Sequence, residues 1–104
     1  MSSVTVVSKQ PPGGRCSLYL RYAETLREAL GLTCDVHYCD ATAAVPPPAM
    51  LICDVLVAPS DGVIVSPDDI ARSLSDPLGG ARADELRGLL EQTQERWMEE
   101  WSNA

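Results

Sequence analysis

Phenylalanine is absent from this 104-residue chain, and its aromatics number only five: Tyr19, Tyr22, Tyr38, Trp97 and Trp101. A core made without Phe must be built mostly from Val, Leu, Ile, Ala and Met. Positive charge is also scarce. Eight Lys and Arg against fifteen Asp and Glu leave a net charge of −7, and the basic residues are scattered without a run. That argues against nucleic acid and anionic membranes as partners, because both are bound by clustered cations. No apolar stretch approaches the ~20 residues that span a bilayer. Residues 1–7 have no basic segment followed by an apolar one, so no signal peptide is expected. These absences predict a cytoplasmic protein whose cysteines, Cys16, Cys34, Cys39 and Cys53, are reduced thiols.

What is present suits one domain. The chain is 45% hydrophobic and 22% charged, ordinary values for a globular fold. Val4–Val7 is β-branched and reads as a strand. Gln10-Pro11-Pro12-Gly13-Gly14 is a loop. Ser17–Leu30 carries Leu18, Tyr22, Leu26 and Ala29 on one stripe, widened by Tyr19, Ala23 and Leu30, with Arg21, Glu24, Thr25 and Glu28 opposite. That is an amphipathic helix, closed by Gly31. Cys34–Cys39 reads as a second strand, and Ala41–Pro48 as a loop because it ends in three prolines. Met50–Val57 is nearly all apolar and predicts a central strand covered on both faces. Ala58-Pro59-Ser60-Asp61-Gly62 predicts a hairpin turn into a fourth strand, Val63–Val65. Ser66-Pro67-Asp68-Asp69 opens a helix, with a capping hydroxyl, a first-turn proline and acids at the positive dipole end. Asp76–Gly80 is expected to end it. The last helix, 84–101, carries Leu86, Leu89, Leu90, Trp97 and Trp101 on a narrow stripe.

A helix between the first two strands implies a parallel pair, and a short turn between the third and fourth an antiparallel one. The expected architecture is an α/β fold with a four-stranded mixed sheet in the order β-α-β-β-β-α, the first and third strands central, and an added C-terminal helix. Residues 1–76 form the expected core, 77–83 a linker, and 84–104 a helix packing on that core or on a second subunit.

That order, together with PAMLICDVLVAPSDGVIVSPDDIARSL over Pro48–Leu74, resembles the thioredoxin-like superfamily, most closely its small selenoprotein W-like branch. The likeness covers about residues 3–76. It implies a cis-proline before the third strand, matched best by Pro48 with Pro46 and Pro47 competing. It also implies a reactive thiol after the first strand. The family's C-x-x-C pair is here Cys16-Ser17-Leu18-Tyr19, so Cys16 alone corresponds to it.

Cys16 is the candidate catalytic residue. A helix N-terminus and the adjacent Arg15 both favour a thiolate there. Cys34 and Cys53, in apolar strands, are expected to be buried and inert, and Cys16 the most accessible thiol. Asp35, His37 and Cys39 share one face of their strand, which permits a three-ligand metal site, but the spacing is that of no zinc motif, and no metal or cofactor is expected. No acid pair has a spacing that specifies catalysis. The C-terminal stripe of Leu86, Leu90, Trp97 and Trp101 is the candidate interface, covering either the open face of the sheet or a second copy. Two functions follow: an accessory or interaction module, alone or as a homodimer, and a single-thiol redox protein using Cys16. Whether the protein is an enzyme at all is left open at this level.

Overall fold

The computed structural model describes residues 3–8, 14–38, 47–53, 55–60, 62 and 64–102. Strand β1 (Ser3–Ser8) leads to helix α1 (Gly14–Leu30), β2 (Thr33–Tyr38), β3 (Ala49–Ile52), β4 (Val55–Leu56), α2 (Pro67–Leu78) and α3 (Gly80–Ser102). The strands lie in the order β2-β1-β3-β4. β1 and β2 are parallel, Val4 beside Cys34 and Val7 beside His37. β3 runs antiparallel to β1, Val4 beside Ile52 and Val7 beside Ala49, and β4 antiparallel to β3. The mixed α/β sheet with central first and third strands is therefore as expected.

Local chemistry explains the helix ends. Gly31 closes α1 at φ 69°, its N–H donating to the Arg27 carbonyl at 2.9 Å, the left-handed exit that glycine takes without a Cβ clash. At α2, the Ser66 hydroxyl accepts from the Asp69 N–H at 3.2 Å and the Asp69 carboxylate accepts from the Ser66 N–H at 3.0 Å, with Pro67 opening the helix. This reciprocal pair satisfies two backbone donors that a helix start leaves open.

Three expectations about element boundaries are corrected. Met50–Val57 is not one strand. The chain reverses after Ile52, and Cys53 takes φ 52°, a conformation uncommon for a residue with a Cβ. The Cys53 N–H donates to the Ser3 carbonyl at 2.8 Å and the Val57 N–H to the Met50 carbonyl at 2.9 Å. Asp54, the one polar residue in the run and of a type common in turns, is the signal the sequence offers for it. The fourth strand is consequently Val55–Leu56 rather than 63–65. Val65 is buried, but its N–H donates to the Tyr19 hydroxyl at 2.9 Å instead of to a strand. Lastly, 77–83 is not a linker. Gly79 alone separates α2 from α3, at φ 83°, and α3 begins at Gly80 rather than at residue 84. One residue at positive φ reverses the chain, so no longer connection is needed.

The core lies on one face of the sheet. Val4, Val6, Met50 and Ile52 meet Leu18, Tyr19, Tyr22 and Leu26 of α1, and Ile70, Leu74, Leu86 and Leu90 complete the cluster from α2 and α3. α3 packs on α1 and α2. It runs antiparallel to α1, with Thr25 bonded to Thr93 at 2.6 Å and Arg21 paired with Glu100. α3 therefore packs on the core of its own chain, one of the two expected alternatives, but against α1 and α2 and not over the second face of the sheet. Its Ala83, Leu86 and Leu90 recur every three or four residues and are enclosed by its own chain. The second face carries Thr5, Val7, Asp35, His37, Ala49 and Leu51, and among the described residues no helix packs on it.

Candidate functional site

The carboxyl end of β1 lies beside His37 and Tyr38 on one side and Ala49 on the other, whereas Cys34 and Cys53 lie by its amino end, next to Val4 and Ser3. Val7 pairs with Ala49 and Ser8 with Tyr38, which brings Pro48 to this end of the sheet. The Pro47–Pro48 peptide bond is cis. Ser8 is fully buried.

Cys16 lies in the first turn of α1 and is 1% exposed, whereas Cys53 is exposed and Cys34 intermediate. This reverses the expected order of access. α1 starts at Gly14, so Cys16 falls in register with Tyr19, Ala23 and Leu26, three, seven and ten residues on, all on the buried side of the helix. Cys53 is outside because it sits on the hairpin turn and not in mid-strand. The Cys34 thiol donates to the Ala23 carbonyl at 3.2 Å. Burial pushes its pKa up and the nearby Asp35 and Glu24 add to this, against the pull of Arg27. A thiol held in its neutral form is a poor nucleophile.

Asp35 and His37 are exposed, and Cys39 lies outside the described residues. Among the described residues no group of three His, Cys, Asp or Glu is placed to hold a metal ion. Of the interface candidates, Leu86 and Leu90 are buried within the chain, Trp97 packs partly against the core, and Trp101 lies in the last turn of α3 with its side chain outside the description.

Protein-family models, curated proteins and solved structures contain no match to this chain.

The most elaborate polar cluster is one that sequence reasoning only half anticipated. Asp69, read above as a helix-dipole acid, is 7% exposed and accepts from the N–H groups of both Ser66, at 3.0 Å, and Ser60, at 3.2 Å. Burial alone would raise its pKa, but these donors together overcome that and hold the carboxyl below its ordinary value. The Ser66-x-x-Asp69 spacing was the available signal. Beside this cluster Tyr19 and Tyr22 stack with ring centroids 6.4 Å apart. The Tyr19 hydroxyl takes the Val65 N–H, while the Tyr22 hydroxyl is buried with no hydrogen-bond partner among the described residues. Burial first, then the proximity of Tyr19 and Asp69, pushes the Tyr22 phenol well above its usual range. The cluster joins α1 to the start of α2 and is a structural anchor.

Two depressions mark the helical side. A groove of about 200 Å³ between α1 and α3 is lined by Arg21, Glu24, Thr25, Glu28, Thr93 and Arg96. A more apolar one of about 160 Å³ lies between Ala29, Leu30, Leu86 and Leu89, with Arg82 and Glu85 at its rim. Neither holds a cysteine or a histidine. The sheet edges differ: Val36 and Tyr38 on β2, and Val55 and Leu56 on β4, are all exposed apolar side chains. Among the described residues no helix is long and apolar enough to cross a membrane.

Proposed function

We propose that this protein is a thioredoxin-like accessory or interaction module that works through its surface and not through a thiol. The observation that carries this reading is the burial of Cys16, 1% exposed. The sequence offers Tyr19 where a second thiol would stand, so Cys16 would have to act alone. A nucleophile or redox thiol needs access and a stabilised thiolate. The strand order and the apolar sheet edges support the scaffold reading. The competing single-thiol reading requires that Cys16 react readily in the native protein.

Native-state alkylation with iodoacetamide, read by mass spectrometry, decides between them. Cys53 is expected to label first and Cys34 more slowly. Cys16 is expected to label only at the rate of global unfolding. Rapid modification of Cys16 before Cys53 would establish the single-thiol reading instead.

A further inference from the structure

β2 is an outer strand of the sheet, with β1 on one side. An edge strand presents free N–H and C=O groups, and proteins commonly blunt such edges with proline, lysine or a bulge. Thr33–Tyr38 has no proline, lysine or glycine. It pairs with β1 over all six residues without a bulge, and its Val36 and Tyr38 are 40% and 53% exposed. Among the described residues no strand pairs with its outer side.

The side-chain order of β2 specifies with what that side can pair. Asp35 and His37 share the sheet face on which no described helix packs, and Val36 stands between them on the other face. β1 offers Ser3, Thr5 and Val7 beside them and no charge. Consider two copies of β2 side by side and antiparallel, about a two-fold axis normal to the sheet. Each face then stays on its own side, and the register must be centred on a residue. Centred on Asp35 it sets carboxylate against carboxylate; centred on His37 it sets imidazole against imidazole. Centred on Val36 it sets Asp35 of each copy opposite His37 of the other, twice, and Cys34 opposite Tyr38 on the apolar face. Directly opposed side chains of this kind are what stabilise a strand pair and select its register.

We propose that the protein self-associates through β2, two copies joining edge to edge in the Val36-centred antiparallel register into one continuous sheet. This deepens the surface-module reading and rests on it. A contact of one strand per copy lies at the small end of stable interfaces, so the dimer is weak. The net charge of −7 on each copy opposes it at long range, an effect confined to about 8 Å at ~0.15 M salt.

The test is light scattering and sedimentation of the full chain at ~0.15 M salt, over concentrations reaching the order of 1 mM, where weak pairs form. The wild-type mass should rise with concentration from 11.2 kDa toward twice that value. His37→Asp sets Asp against Asp at both contacts and should weaken association about tenfold or more. Adding Asp35→Lys to it sets Lys opposite Asp at both contacts and should recover most of the loss. Both positions are exposed, and circular dichroism checks that each variant is folded. A wild type monomeric throughout, a dimer indifferent to His37→Asp, or a folded double variant without recovery each overturns the proposal. Alkylation of Cys16 in the same samples separates the two readings. A monomer with an unreactive Cys16 removes only the β2 pairing, whereas a reactive Cys16 removes the surface-module reading itself.

Discussion

The start of α2 and the outer strands of the sheet lie within about thirty residues of one another in sequence but satisfy their backbones in opposite ways. At residues 60–69 the donors are met by side chains of the same chain: Asp69 takes two N–H groups, Ser66 takes one and Tyr19 takes one. Asp68 is held by Arg72 and by Arg87 of α3, which keep its carboxyl below the usual range and tie the two helices together. Along β2 and at β4, by contrast, one side of the strand has no neighbour among the described residues, and Val36, Tyr38, Val55 and Leu56 are exposed. The first region is tied together by side chain to backbone hydrogen bonds within the chain, and the second leaves apolar side chains exposed. A fold can tolerate such an edge because its stability comes from elsewhere, here from the α1–α2–α3 layer over β1 and β3.

The sharpest test of that contrast compares two leucines. Leu90 is fully buried between helices and Leu56 is 52% exposed on β4. Leu90→Ala is expected to cost ~3 kcal/mol in urea denaturation through lost transfer energy and a residual cavity. Leu56→Ala should fall within ~0.5 kcal/mol of wild type. Equal losses would mean that the sheet edge is as integral as the helical layer.

Asp69→Ala removes the acceptor of two backbone donors and half of the capping box, and should cost ~2 kcal/mol at pH 7. The effect depends on pH with a definite sign. The native pKa of Asp69 lies below the unfolded value of ~3.9. Its ionised form therefore stabilises the fold fully above that unfolded value, and the contribution is lost as the pH falls through the lower native pKa. The gap between wild type and variant should narrow on going from pH 7 to strong acid. A gap constant across that range would show that the carboxylate charge has no part in the anchor.

The smallest effect separates two stacked tyrosines. Tyr19→Phe strips the Val65 N–H of its acceptor and should destabilise by ~1 kcal/mol, whereas Tyr22→Phe removes a buried hydroxyl that has no partner and should be neutral or stabilising by a similar amount. The same sign for both would mean that the Tyr22 hydroxyl finds a partner in solution.

Part of this anchor was legible in the chain and part was not. Ser66, Pro67 and the acids after them announce a helix start through contacts spanning three residues, and that start is where the local chemistry puts it. The role of Tyr19 was not legible, because its hydroxyl meets the amide of Val65, 46 positions away. The candidate thiol site was misread for a related reason. A shift of three residues in where α1 begins turns Cys16 onto the stripe of Tyr19 and Ala23. Its burial then depends on what the sheet and the other helices place against that stripe.

By itself the sequence determined the succession of β1, α1 and β2, the cap of α2, the apolar stripe of α3 and the acidic charge. Each follows from propensity, periodicity or composition, whose physics acts over a few residues or over the whole chain at once. The tertiary structure alone decided that Met50–Val57 folds back at Cys53, that α3 packs on the helices instead of the open sheet face, and which cysteine meets solvent. Those outcomes depend on long-range packing. An apolar run can be a strand or a hairpin and an apolar stripe can cover any apolar surface, until the elements that compete for the same core are assembled around it.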